Sequence, residues 1–261
     1  MSFILSPLLC LILLVTAAAS TSAQDGRQRI TLQPPEKKFV NYRIPARQYD
    51  EMNLNGWRVF IEKPLLQRNP KLANKALARL DRKLQQALAI LPQEAGGDLR
   101  SLSLYLMIGP QARGGGRDNG LEFFQQDAPD FHAELDPLWR NCVVVYCAYN
   151  YSDQSEFWAL KALVHEFSHA HFAHRWRSDN PDLYDCWEHA MQLGLYHNVK
   201  DDQGKNVPKA YASVNQLEYF AEVSCMYFVG CNYYPFNRAQ LEQYDPDGFR
   251  LIQRMWYPPP R

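Results

Sequence analysis

The chain opens on an uncharged apolar run, Phe3 to Ala19, and from Gln24 onward its apolar and polar positions recur at readable periods. Gln24 to Tyr49 is polar and carries Pro34, Pro35 and Pro45, which predicts an extended lead-in over residues 24–56. Trp57 to Glu62 is aromatic and β-branched, a strand. Asn69 and Pro70 then read as a helix cap and a first-turn proline. Behind them Leu77, Leu80, Leu84, Leu88 and Leu91 recur at three- and four-residue steps, an amphipathic helix ended by Pro92. Leu102, Leu104, Leu106 and Ile108 alternate with Ser101, Ser103, Tyr105 and Met107, a strand buried on one face. Gln111 to Gly120 reads as a mobile loop, because Gly114 to Gly116 lack the GxxxxGK[ST] spacing of a phosphate cradle. Asn141 to Tyr149 is strongly β-forming, and Asp153 with Glu156 resembles a capping box for a helix running towards Trp176. Further helices are predicted at Asp182 to Leu195 and Asn215 to Phe228, with one weaker helix after Asn237. The final Tyr257-Pro258-Pro259-Pro260-Arg261 cannot be helical. The pattern predicts an α+β chain with one domain over residues 57–261, a small mixed sheet and a mainly helical C-terminal part.

Composition narrows the function classes. With 28 Lys+Arg against 28 Asp+Glu the 261-residue chain is formally neutral, which removes the long-range attraction of a nucleic-acid or anionic-membrane binder. Hydrophobic residues at 46% and charged residues at 21% exclude a disordered or fibrous chain. Residues 1–23 carry no charge and end in Thr21-Ser22-Ala23, a signal-peptidase site before Gln24. The expectation is a secreted protein, extracellular or periplasmic, with no stable membrane association after cleavage. The competing reading is an uncleaved anchor, which Ser6 and Pro7 make too short to span. Removal of Cys10 leaves Cys142, Cys147, Cys186, Cys225 and Cys231, an odd count that leaves at least one thiol unpaired. Cys142 and Cys147 lie at odd separation in one predicted strand and should not pair with each other. No CxxC spacing occurs, so a four-cysteine zinc site is not expected.

The chemistry-bearing pattern is His165-Glu166-Phe167-Ser168-His169 inside the helix predicted to end near Trp176. A four-residue step is about 400° of helix rotation, so both imidazoles project from one face about 6 Å apart. That spacing suits two nitrogen ligands of one tetrahedral zinc ion per chain, with Glu166 placed to take a proton from water. His171 and His174 leave that face and read as core or surface residues. A third ligand has two candidates, Glu188 and Glu218. Glu218 is favoured because Glu222 follows one turn later on the same face and can accept the free N–H of a ligating imidazole.

The segment Tyr211-Ala-Ser-Val-Asn-Gln-Leu-Glu218-Tyr-Phe-Ala-Glu222, coming after His165-Glu166-Phe-Ser-His169, resembles the catalytic domain shared by anthrax lethal factor and the Pro-Pro endopeptidases. The likeness covers about Tyr146 to Trp256 and includes Gly194-Leu195-Tyr196 and Tyr234-Pro235-Phe236, as in uncharacterised secreted proteins of this type. The resemblance implies a zincin-like metallopeptidase domain of the gluzincin class. It implies His165, His169 and Glu218 on zinc, Glu166 as general base, and Tyr211 polarising the scissile carbonyl. It further implies a peptide or protein substrate taken on an edge strand ahead of the active-site helix, for which Asn141 to Tyr149 is the candidate; a monomer is expected. Three competing readings keep the same residues: a zinc-binding pseudoenzyme, a non-peptidase zinc hydrolase, and a peptide- or glycan-binding module using Tyr149, Tyr151, Trp158, Tyr233 and Tyr234.

Overall fold

The computed structural model describes residues 40–125 and 133–257. The apolar run and the cleavage site expected after it, the start of the expected lead-in, and Pro258 to Arg261 lie outside the described residues. Tyr49–Leu54 (β1) and Trp57–Glu62 (β2) form a hairpin, followed by Lys63–Arg68 (α1), Pro70–Ile90 (α2), Gly96–Arg100 (α3), Ser103–Leu106 (β3) and Leu121–Phe124 (β4). Cys142–Val145 (β5), Ala148–Asp153 (α4), Glu156–Arg175 (α5) and Pro181–Gln192 (α6) come next. A second hairpin, His197–Lys200 (β6) with Asn206–Lys209 (β7), precedes Gln216–Phe228 (α7), Arg238–Tyr244 (α8) and Pro246–Trp256 (α9). The architecture is mixed α+β. Its main sheet has the order β1-β2-β3-β5-β4, with β2, β3 and β5 parallel and the two edge strands antiparallel to their neighbours.

Helix α2 forms where the leucine period places it. Asn69 Oδ1 accepts the Leu72 amide at 3.1 Å, Pro70 opens the first turn, and Leu77, Leu80 and Leu84 are buried. Each such leucine contributes about 1.5–3 kcal/mol by leaving water. They pack with Leu104, Leu106, Val143 and Val145 of the sheet and with Leu163 and Phe167 of α5 in the principal core. Tyr105 and Met107, predicted to lie on a half-exposed face, are buried instead: they join Tyr42, Phe124, Trp139, Val144 and Tyr146 in a smaller aromatic cluster on the other side of the sheet. Alternation identified the strand but not the second layer that covers it.

Four other expectations are corrected. The supposed lead-in over residues 24–56 contains β1, joined to β2 through Asn55 and Gly56 at φ 51° and 91°, the left-handed pair that a tight hairpin requires. The predicted strand Asn141 to Tyr149 ends at Val145, and its second half turns into α4. There Tyr151 is buried, and its carbonyl accepts from Arg79 Nη1 of α2 at 2.9 Å, so tertiary packing overrides β-propensity. The cap of α5 is Ser155, whose Oγ accepts the Trp158 amide at 3.2 Å. Asp153 is held by Lys75 at 2.6 Å, and Glu156 turns to Lys83 at 2.7 Å and to Arg79 instead of closing a capping box. Finally, two helices rather than one follow Asn237. Asp245 ends α8 and restarts the chain, its Oδ1 accepting the Gly248 amide at 2.9 Å while Oδ2 accepts the hydroxyls of Tyr196 and Tyr219 at 2.8 and 2.6 Å.

Cys142, Cys147, Cys186, Cys225 and Cys231 are all free. Cys142 and Cys147 are buried at the sheet, while Cys225 and Cys231 are buried next to polar groups, their Sγ atoms meeting the Lys161 carbonyl at 3.5 Å and Glu222 Oε2 at 3.6 Å. In the glycine loop before β4, Arg47 Nη2 donates to the Gly115 carbonyl at 2.8 Å. A Cβ on Gly116 would stand 2.3 Å from the Gly109 carbonyl oxygen, a backbone atom that cannot rotate away. Gly116→Ala should therefore cost about 1–3 kcal/mol, read as a lower midpoint in urea. An unchanged midpoint would mean that the loop does not take this path.

Candidate metal centre

Two helices bring the site together, each by a local rule. The Ser155 cap starts α5 so that Lys161, His165 and His169 follow at one-turn intervals along one face. In α7 the Asn215 side chain accepts the amides of Leu217 and Glu218, both at 2.9 Å, which fixes Glu218 in the first turn and Glu222 one turn on. Where the helices meet, Nε2 of His165 lies 3.0 Å from Oε2 of Glu218 and 3.2 Å from Nε2 of His169. Nε2 of His169 lies 3.4 Å from the same Glu218 oxygen.

Three ligand atoms of a tetrahedral ion at about 2.0–2.2 Å stand about 3.3–3.5 Å from one another. The three atoms here, 3.0, 3.2 and 3.4 Å apart, stand within about 0.3 Å of that spacing. The two facing ring nitrogens can share at most one proton between them, whereas lone pairs converging on one cation satisfy all three groups at once. His165, His169 and Glu218 are 5%, 9% and 2% exposed, so these polar atoms depend on close partners. The donor set therefore fits a metal ion, and its nitrogen and carboxylate chemistry fits zinc. A second buried group, His165, Glu222 and Cys225, is also close enough to hold an ion. Its carboxylate, however, already carries the Lys161 ammonium at 2.9 and 3.0 Å, so a cation there would meet a fixed positive charge.

Charge is arranged around the same atoms. Burial works against a charged His165, but the hydrogen bonds it can donate to Cys225, Glu218 and Glu222 outweigh it and hold its pKa well above the ordinary value. Burial alone would raise Glu218; the two imidazoles reverse that and keep it strongly acidic. Glu222 is likewise held acidic against burial, by Lys161 and by the hydrogen bond to His165. That bond runs from His165 Nδ1 to Glu222 Oε1 at 2.9 Å, the support that the four-residue glutamate step foretold.

Glu166 points to the sheet side of the site. Its Oε2 accepts the Phe123 amide of β4 at 2.8 Å, and its Oε1 is buried with no hydrogen-bond partner among the described residues. Burial, opposed by the charge of His165, pushes its pKa up to about 8. An acid poised near neutrality with one oxygen uncommitted is suited to taking up and releasing a proton. Tyr211 sits in the 3-10 turn Tyr211–Ser213 just ahead of α7, its ring centroid 5.6 Å from that of His165 and tilted by 37°.

The remaining expectations sort clearly. Glu188 is exposed on α6 and belongs to no buried metal-holding group among the described residues. His171 is buried, stacked on Trp256 at 4.0 Å with its Nε2 on the Met255 carbonyl at 3.1 Å, and burial lowers its pKa to about 4. The Nε2 of His174 meets Asn141 Oδ1 at 2.7 Å. The aromatic platform dissolves, because Tyr151 and Tyr233 are core residues while Tyr149 and Trp158 are exposed. The candidate strand Asn141 to Tyr149 is also corrected: β5 is interior, paired with both β3 and β4, and among the described residues the edge strand beside α5 is β4. Nothing in the residue pattern marks β4, a four-residue strand whose partner lies beyond a long excursion. Lys161 was missed as well, although its step of four before His165 marks the same face.

Comparison of the chain with protein-family models, curated proteins and solved structures gives no match. What the fold and the site define is a mixed α+β protein with buried His, Glu and Cys groups able to hold a metal ion.

Proposed function

We propose that this protein is a zinc-dependent endopeptidase, a gluzincin of the type that the resemblance to anthrax lethal factor and the Pro-Pro endopeptidases implies. The observation that carries the reading is the convergence of His165 Nε2, His169 Nε2 and Glu218 Oε2 within 3.0–3.4 Å of one another, with the Glu166 carboxyl beside them. His165, His169 and Glu218 would hold the ion, and Glu222 would fix the ring of His165 through Nδ1. A zinc ion there supplies Lewis acidity and lowers the pKa of water to about 7.

The protein's own groups do the rest. The outer edge of β4 receives an extended peptide as an added strand; the Phe123 amide on that edge points away from β5 and is taken by Glu166, so the peptide pairs with the rest of the edge. Glu166 takes the proton of the attacking water and passes it to the departing amine. The Tyr211 hydroxyl donates to the oxyanion that develops on the scissile carbonyl, an interaction stronger in the transition state than in the ground state.

The test is a peptide-library digest. Cleavage should be abolished by chelator and restored by zinc; cleavage indifferent to chelator, or none with zinc-loaded protein, contradicts the reading. Within an active enzyme, Tyr211→Phe should lower kcat about a hundredfold or more, leave KM and zinc content nearly unchanged, and leave the melting temperature in place. Unchanged kcat, or a large loss of thermal stability instead, would make Tyr211 a packing residue.

A further inference from the structure

One buried charge takes no part in the scheme above. Lys161 stands one turn before His165 on α5, is 5% exposed, and has every ammonium proton engaged. Nζ donates to Oε1 and Oε2 of Glu222 at 2.9 and 3.0 Å and to Oδ1 of Asn232 at 3.1 Å. The ammonium stands over two aromatic rings, with Nζ 5.2 Å from the Trp158 ring centroid and 5.7 Å from that of Tyr233. Burial of a lysine normally strips its charge. Here nearby Cys231 and Glu222 outweigh burial and keep its pKa above the ordinary value.

The two helices thus face each other as ladders. Lys161, His165 and His169 rise along α5, while Glu222 and Glu218 descend along α7 between them. The contacts run Lys161 to Glu222, Glu222 to His165 Nδ1, His165 Nε2 to Glu218, and Glu218 to His169. A carboxylate held at one oxygen can swing about its Cγ–Cδ bond. Glu222 is held at both, and the oxygen that meets His165 is one of the two that Lys161 grips.

We infer that Lys161 is a positioning residue for the metal centre: by clamping Glu222 it fixes the ring of His165 and so sets metal affinity. This inference rests on the proposed zinc reading. It differs from a merely structural role, because its effect must pass through Glu222 to the ligand set. Support groups behind a metal ligand typically change affinity by about 10–100-fold.

The test uses the full chain and zinc itself, with free zinc set by a competing chelator, and cobalt(II) substitution as a spectroscopic reporter. Lys161→Met keeps the length and removes the charge. It should raise the zinc Kd by about 10–100-fold and shift or broaden the cobalt visible bands, which report ligand geometry. In a Glu222→Gln background the clamp has lost the charge it pairs with and one of its two oxygens, so adding Lys161→Met should change Kd by less than about threefold. That neutral pair also covers the case in which Lys161→Met alone fails to fold with Glu222 left uncompensated. A Lys161→Met Kd and cobalt spectrum equal to wild type, or a full tenfold or larger further loss on top of Glu222→Gln, would overturn the inference. Failure of the wild-type protein to bind zinc would overturn the metal reading and this inference with it, and so is distinguishable from failure of the clamp alone.

Discussion

Glu218→Ala is expected to abolish stoichiometric zinc, whereas Glu188→Ala should leave zinc content at wild-type level. Glu218 Oε2 stands 3.0 Å and 3.4 Å from the two histidine nitrogens, and its backbone is held in the first turn of α7 by Asn215. Removing it leaves two neutral imidazoles, too few ligands for a tight tetrahedral site at submicromolar zinc. Glu188 is exposed on another helix. Metal analysis after dialysis against a weak chelator reads the difference. Zinc retained by Glu218→Ala and lost by Glu188→Ala would reverse the ligand assignment and break the resemblance on which the functional reading leans.

The second large effect is Glu166→Gln. Gln keeps the shape of the side chain and its acceptor for the Phe123 amide, but it cannot carry a proton between water and leaving group. Zinc content should persist, because Glu166 is not among the converging ligand atoms. Hydrolysis should fall by a factor on the order of a hundred to ten thousand, the usual contribution of a positioned acid–base group. A variant that cleaves peptides at the wild-type rate would assign the activity to another site or to a contaminant.

How much of this was legible in the sequence depended on the range of the physics involved. The four-residue steps from His165 to His169 and from Glu218 to Glu222 fix geometry within one helix, and the structure brings those groups together at bonding distance. The caps at Asn69 and Asn215 act over three residues and were equally readable. What depends on distant partners was not. Lys161 looks like an ordinary helix lysine until α7 lays Glu222 over it. The sequence of β4 is too short to stand out, and it becomes the free edge only because β5 pairs on its other side with β3. Tyr149 and Tyr151 favour a strand by propensity, yet they lie in α4, which packs against α2. The Asn55-Gly56 pair, by contrast, was a readable hairpin signal that the apolar period alone passes over.

The central claim is a metal ion held by two histidines of α5 and one glutamate of α7, and anomalous diffraction tests it most directly. Crystals of protein purified without added chelator, measured on both sides of the zinc absorption edge, should show one anomalous peak per chain. That peak should lie about 2.0–2.2 Å from His165 Nε2, His169 Nε2 and a Glu218 oxygen. No peak from zinc-soaked crystals, or a peak on the His165 Nδ1 side among Glu222 and Cys225, would contradict the account.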